Sequence, residues 1–205
     1  MELAAKTMVS VKKSGLALKA TVTDEHLNGA VNILANLVRS AQLKRALTRA
    51  DPDPALNFWR VIYGNLLDMA VIEWCKLFGS DHEDHQQVHW KNMFQDESAF
   101  RDGLYRHLGV SRNDFLEYWE ELKTYRNTAA AHLDLVNPRA PFYPTLDHAI
   151  ASSYYYYAQL LPALRSHGMT RYPDDLQAYG EAFLVQAVNI ASKAMMVTKN
   201  IPTLD

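Results

Sequence analysis

An arginine, an asparagine and a histidine lie close together in the segment Tyr125–Asp134, which reads YRNTAAAHLD. The imidazole of His132 titrates near neutral pH, so it can accept or release a proton during a reaction. The guanidinium of Arg126 stays charged and presents a planar fork of donors that matches phosphate oxygens. These side chains suit the cleavage of a phosphodiester, which needs proton transfer and positive charge at the phosphate. The alanines between Asn127 and His132 leave room for a phosphate or for a partner helix.

The spacing of Arg126 and His132 matters if both lie on one helix. Each residue of an α-helix advances by about 100°, so six positions rotate by roughly 240° net. The two side chains would therefore not share a face. Either the long Arg126 side chain wraps across the helix, or the helix loosens before His132. A plainer interpretation is that Arg126 is a cation at a helix C-terminus, where positive charge is favoured, and that His132 is an ordinary surface or core histidine.

The Arg126-Asn127 pair, followed by four residues and then His132, resembles the signature of HEPN domains. These form an all-helical superfamily with many metal-independent RNA-cutting enzymes. Tyr125 and the Ala131–Asp134 ending look most like the abortive-infection branch. The resemblance implies an endoribonuclease without a metal or other cofactor, in which the 2′-hydroxyl of the RNA attacks the neighbouring phosphate. It also implies a setting in toxin–antitoxin or abortive-infection defence.

The resemblance implies a role for each polar residue of the motif. Arg126 would bind and stabilise the scissile phosphate, and Asn127 would orient His132 or the substrate. His132 would act as base or acid, while Lys123 and Arg139 would steer RNA toward the site. The motif holds one histidine, yet the reaction has two proton transfers, so the resemblance implies a homodimer with a composite active site. The expected partners are an RNA substrate, a second copy of the chain and an antitoxin protein.

Two other functions remain open. One is a non-catalytic helical module that binds RNA, a nucleotide or a protein through the same cleft. The other is a metal-dependent hydrolase that uses His82, His85 and His89, of which the last two are four residues apart and would share a helix face. The segment lacks paired cysteines and a His-Glu-x-x-His order. We therefore expect a polar surface loop there and assign no metal ligand.

Composition bounds these possibilities. Hydrophobic residues make up 48% of the 205 residues, enough for the core of one domain. The net charge of −2 gives no global basic field. The single cysteine, Cys75, fits a reducing cytoplasm, and a buried packing role is expected for it. The longest apolar runs are too short to span a membrane, so no membrane partner is expected.

Hydrophobic periodicity and capping residues predict about six helices and no strand, hence an all-α antiparallel bundle. The resemblance to HEPN domains implies a four-helix core of that type plus extra helices. Residues 1–22 are expected to form a basic, flexible arm, 23–198 a single domain and 199–205 a tail. Arg60 and Asp68 could point toward the cleft, but the sequence does not place them. The predicted helix starts and stops are Thr23-Asp24 to Arg49, Pro54 to Gly79, Asp96 to Gly109, Ser111 (with Asp114 in a capping box) to Pro138, Thr145 to His167 and Pro173-Asp174-Asp175 to Thr198.

Two apolar patterns make further predictions. The run Tyr154–Tyr157 puts tyrosines all round its helix, so some are expected to meet solvent, a partner or RNA. The predicted buried stripe of the last helix is Leu176, Tyr179, Phe183, Ala187, Ile190 and Ala194.

Overall fold

A computed structural model of the protein describes residues 15–80, 87–130 and 143–203. Within these ranges the chain forms seven α-helices and no named strand, which confirms the all-α class. The additional helix is the short α3, a single turn that periodicity does not reveal. The elements are α1 Asp24–Ala50, α2 Asn57–Phe78, α3 Trp90–Met93, α4 Glu97–Leu108, α5 Arg112–Tyr125, a π-helical segment Arg126–Ala130, α6 Asp147–Ser166 and α7 Leu176–Thr198.

Capping residues set most of the helix starts where the sequence predicts them. Thr23 accepts a hydrogen bond from the His26 amide and begins α1. Asp96 accepts from the Ala99 amide at the start of α4. Ser111 and Asp114 form the predicted capping box at the start of α5, with distances of 3.2 and 2.9 Å between side-chain oxygens and amides. Each cap satisfies amides that the first turn leaves without a helical partner.

Two helices begin later than predicted, because local hydrogen bonds hold the preceding residues in turns. The Asp51 carboxylate accepts from the Asp53 amide at 3.1 Å, and Arg60 donates to the Pro54 carbonyl at 2.8 Å. Pro54 is therefore outside α2, which starts at Asn57. Similarly, the Thr145 carbonyl accepts from a tyrosine hydroxyl of α5, and α6 starts two residues further on.

Residues 15–22 pack on the bundle, although they were expected to belong to the flexible arm. The Lys19 amide donates to the Met93 carbonyl at 2.9 Å, and Leu18 forms an isolated antiparallel bridge with Phe94. The side chains of Leu16 and Leu18 pack on the core. The packed domain therefore begins at or before residue 15. The apolar side chains of this segment pack on the core between α3 and α6.

The protein covers most of the four consecutive tyrosines of α6, and Tyr154 is the one that partly meets solvent, as was predicted for some of them. Tyr155, Tyr156 and Tyr157 are buried and Tyr154 is half-buried, because α6 contacts α1, α2, α4 and α7. The Tyr156 hydroxyl donates to a backbone carbonyl at 2.8 Å. A Cβ atom at Gly180 of α7 would lie 2.5 Å from the Tyr154 hydroxyl, so the glycine allows the close approach of these two helices.

The buried stripe of α7 is rotated from the predicted one. Tyr179 is 36% exposed and Ile190 is 62% exposed, so the predicted stripe is wrong at both positions. Among the described residues, no helix has the length and apolar character that a membrane span requires. The side chains of α7 that are buried, mainly against α1, are Leu176, Gly180, Leu184, Ala187, Ala191 and Met195.

Candidate functional site

The first part of the motif lies where α5 passes into the π-helical segment. The Arg126 amide donates to the carbonyls of both Leu122 and Lys123, so its hydrogen bond is shared between two acceptors instead of the one that a regular α-helix has. The Thr128 hydroxyl donates to the Thr124 carbonyl at 2.8 Å, a back-bond that is known to bend helices. The segment Arg126–Ala130 is π-helical, so the helix widens before His132, which is one of the two geometries expected for the motif. Such π-helical turns are frequent at functional sites.

A hydrogen bond between two helices anchors the start of this segment. Tyr125 is 6% exposed, and its hydroxyl donates to the Asp68 carboxylate of α2 at 2.7 Å. Burial raises the pKa of Tyr125, and the bond to Asp68 raises it further, so the hydroxyl remains a donor. Asp68, which the sequence did not place, thus holds the end of α5. Asp68 and Glu73 are the two carboxylates among the mainly apolar residues of α2, and this pattern was the signal for it.

Arg126 and Asn127 contact each other at the surface of the segment. The Nε of the half-buried Arg126 donates to Oδ1 of Asn127 at 3.0 Å. Within the described residues, the terminal amino groups of Arg126 make no hydrogen bond. Asn127 therefore orients the guanidinium and leaves its outer fork open to a ligand such as phosphate. The expected contact of Asn127 with His132 or the substrate stays a prediction, because His132 lies outside the described residues.

Two cations of this region act on the buried thiol of Cys75 in α2. Burial raises the pKa of Cys75 to about 11, and the positive charges of Arg126 and Lys123 oppose this rise. Cys75 is 3% exposed, as expected for a packing residue. Arg126 and Lys123 therefore contribute to one positive field at the junction of α2 and α5.

Lys123 is held along α5, one turn before Arg126. Its Nζ lies 3.7 Å from the centroid of the Trp119 ring and 3.5 Å from a carboxylate oxygen of Glu120. The Trp119 indole donates to the Phe78 carbonyl at 2.6 Å, which fixes the ring. The Trp119 ring and Glu120 therefore hold Lys123 in place, and Glu120 partly neutralises its positive charge.

The remaining residues of the predicted site lie outside the described ranges. His132 follows Ala130 by two residues, and Arg139 belongs to the same stretch. Their proximity to Arg126 therefore stays a prediction. Tyr143 is the first described residue after this stretch, and its ring centroid lies 6.4 Å from that of Tyr125. Both flanks of residues 131–142 therefore lie beside the anchored end of α5.

The described histidine of the His-rich stretch is structural. His89 is 1% exposed and is the N-cap of α3, where its Nδ1 accepts from the Lys91 amide at 3.3 Å. Its Nε2 donates to the Gly79 carbonyl at 3.2 Å. His89 precedes α3, so the helix face predicted to carry His85 and His89 is not found among the described residues. His82 and His85 themselves lie outside those residues. Within the described ranges, no three His, Cys, Asp or Glu side chains are grouped to hold a metal ion.

We compared the chain with protein-family models, with curated proteins and with solved structures, and none of the three comparisons found a match.

Proposed function

We propose that the protein is a metal-independent endoribonuclease of HEPN type. The observation that carries the proposal is the open guanidinium fork of Arg126, which Asn127 orients at a π-helical turn six residues before His132. Such a fork suits a phosphate that gains negative charge during the reaction. The proposed setting, from the family resemblance, is toxin–antitoxin or abortive-infection defence, with an antitoxin protein as a partner.

The proposed reaction is an attack of the RNA on its own backbone. A His132 imidazole accepts the proton of the 2′-hydroxyl, and the 2′-oxygen forms a bond to phosphorus. The bond between phosphorus and the 5′-oxygen breaks, and the leaving oxygen receives a proton from a second imidazole. The products are a 2′,3′-cyclic phosphate and a free 5′-hydroxyl. Arg126 stabilises the charge on the phosphate oxygens, and Lys123 and Arg139 attract the RNA.

The two proton transfers require two imidazoles, so the proposal includes a homodimer. Two copies of His132 across a two-fold axis would act as base and acid. Asn127 and Thr128 are exposed next to this position and would lie near the axis. Light scattering at micromolar concentration is expected to give twice the mass of the chain. A strict monomer that retains full activity would contradict the composite site.

The direct experiment measures cleavage of a labelled single-stranded RNA in excess chelator. His132→Ala removes a proton-transfer group, and one such group supplies about 100- to 10,000-fold in rate. Arg126→Ala removes a charged donor at the transition state and is expected to cost about 100-fold or more. Arg126→Lys should also be poor, because a point charge does not replace the fork. Arg39→Ala, at an exposed arginine of α1, is the matched control and should cleave at the wild-type rate.

The outcomes separate the three functions considered. Wild-type cleavage by folded His132→Ala, or equal cleavage of DNA with the same sequence, would contradict the mechanism. RNA binding without cleavage would favour the non-catalytic module. Activity that is lost in chelator and restored by a divalent metal would favour the metal-dependent hydrolase. Circular dichroism of each variant confirms that the helices persist.

A further inference from the structure

A cavity lined by basic and aromatic side chains lies toward the start of α5, between that helix, α3 and α4. Its volume is about 250 Å³, slightly below the roughly 300–1,000 Å³ of typical small-molecule sites. This size suits one nucleotide better than a dinucleotide. No Asp or Glu is among the described residues that line it. The lining includes the basic residues Lys91, Arg101 and Arg112 and the aromatic residues Trp90, Tyr105 and Trp119.

Two arginines from different helices make the cavity positive. Arg101 and Arg112 line the cavity together with Tyr105, and their positive charges oppose the rise that burial causes in the pKa of Tyr105. Asp102 acts in the opposite sense as the nearby negative charge. Within the described chain, neither arginine forms an ion pair with a carboxylate. Their charge therefore remains available to an anion.

The aromatic rings of the cavity are held in place by the fold. The Trp119 indole is fixed by its bond to the Phe78 carbonyl. Trp90 stacks on Phe100 with centroids 4.9 Å apart and planes 10° apart. Trp119 is only partly buried, so its ring can contact a ligand. A fixed ring beside a positive charge is the combination that binds a base and its phosphate in single-stranded nucleic acids.

One face of α5 connects this cavity to the motif. Arg112, Trp119, Lys123 and Arg126 are separated by seven, four and three residues, so they follow a single helical stripe. The distance along the helix from Arg112 to Arg126 is about 21 Å at 1.5 Å per residue. An extended single strand covers that distance with a few nucleotides.

We propose that the cavity binds one nucleotide of a single-stranded RNA whose scissile phosphate lies at Arg126, a few nucleotides away. The base packs against Trp119 and Tyr105, and the phosphate lies between Arg101 and Arg112. The identity of the strand as RNA rests on the proposed function. The binding site itself rests on the charge, the rings and the stripe along α5.

The test compares binding of a short fluorescent single-stranded RNA, with His132→Ala as the background so that the RNA stays intact. Arg101→Ala/Arg112→Ala is expected to weaken binding roughly 10- to 100-fold, because two charge-assisted contacts to phosphate are lost. The slope of log K against log salt should become shallower by about 0.7, the value for one phosphate of a single strand. Arg101→Lys/Arg112→Lys should restore the slope and part of the affinity.

Arg39→Ala/Arg49→Ala is the control, because it removes two exposed arginines of α1. It should bind as tightly as the background protein. In the cleavage assay, Arg101→Ala/Arg112→Ala should raise KM and leave kcat unchanged, whereas Arg126→Ala should lower kcat. If the folded double alanine variant binds like the control, the cavity proposal is overturned, whether or not the protein cleaves RNA. If binding falls as expected but wild-type protein cuts no RNA, the cavity stands and the proposed function fails.

Discussion

The hydrogen bond between Tyr125 and Asp68 should hold the end of α5 on α2 with a measurable coupling energy. Tyr125→Phe removes the donor and leaves a half-buried carboxylate, which water can partly satisfy. Hydrogen bonds to charged groups contribute about 1.5–3 kcal/mol, so partial hydration reduces the expected loss to about 1–2 kcal/mol. Asp68→Ala leaves the hydroxyl of the buried Tyr125 without its acceptor, which costs about 1–3 kcal/mol.

The assay is a double-mutant cycle measured by urea unfolding. The double variant Tyr125→Phe/Asp68→Ala should lose less stability than the sum of the single variants, by about 1 kcal/mol or more. The reason is that each single change already removes the one hydrogen bond that the two residues share. Asp68→Asn should retain much of the stability, since its amide oxygen still accepts. The control is Tyr118→Phe, whose hydroxyl donates to the Thr145 carbonyl, and it should be additive with Asp68→Ala. A coupling energy within about 0.3 kcal/mol of zero would refute the anchoring role.

Two further predictions concern buried groups of the core. Ser152→Ala removes the acceptor of the buried Trp74 indole, at 2.9 Å, and should cost about 1–3 kcal/mol in urea unfolding. Ser153→Ala, equally buried but bonded only to a helix carbonyl, should cost clearly less, and equal losses would contradict the reasoning. The Cys75 thiol, with a pKa near 11, should be alkylated at pH 9 about 50-fold more slowly in the folded protein than in urea. Equal alkylation rates in the folded and unfolded protein would contradict the burial of Cys75. Because folding raises the pKa of this thiol, its contribution to stability is present below about pH 9 and is lost toward pH 11.

Local signals in the sequence determined the class of the fold and most helix boundaries. Ser111 and Asp114 specify the start of α5 because they satisfy the amides of its own first turn, whatever packs around it. Gly109 ends α4 because its φ of +68° is accessible to glycine without strain. Residue types alone also indicated Arg126 as a candidate for binding phosphate. All of these depend on interactions between residues a few positions apart.

Tertiary packing decided which faces and which distant partners are used. The helix α7 is apolar on several sides, so periodicity could not choose its buried stripe, and contact with α1 buried Gly180 while leaving Ile190 exposed. Asp68 and Tyr125 are 57 residues apart in the sequence, and only the packing of α2 on α5 joins them. The cavity brings Arg101 and Arg112 together from two helices for the same reason. Contacts between distant residues depend on the relative rotation and position of whole helices, which the many weak side-chain contacts of the core determine together.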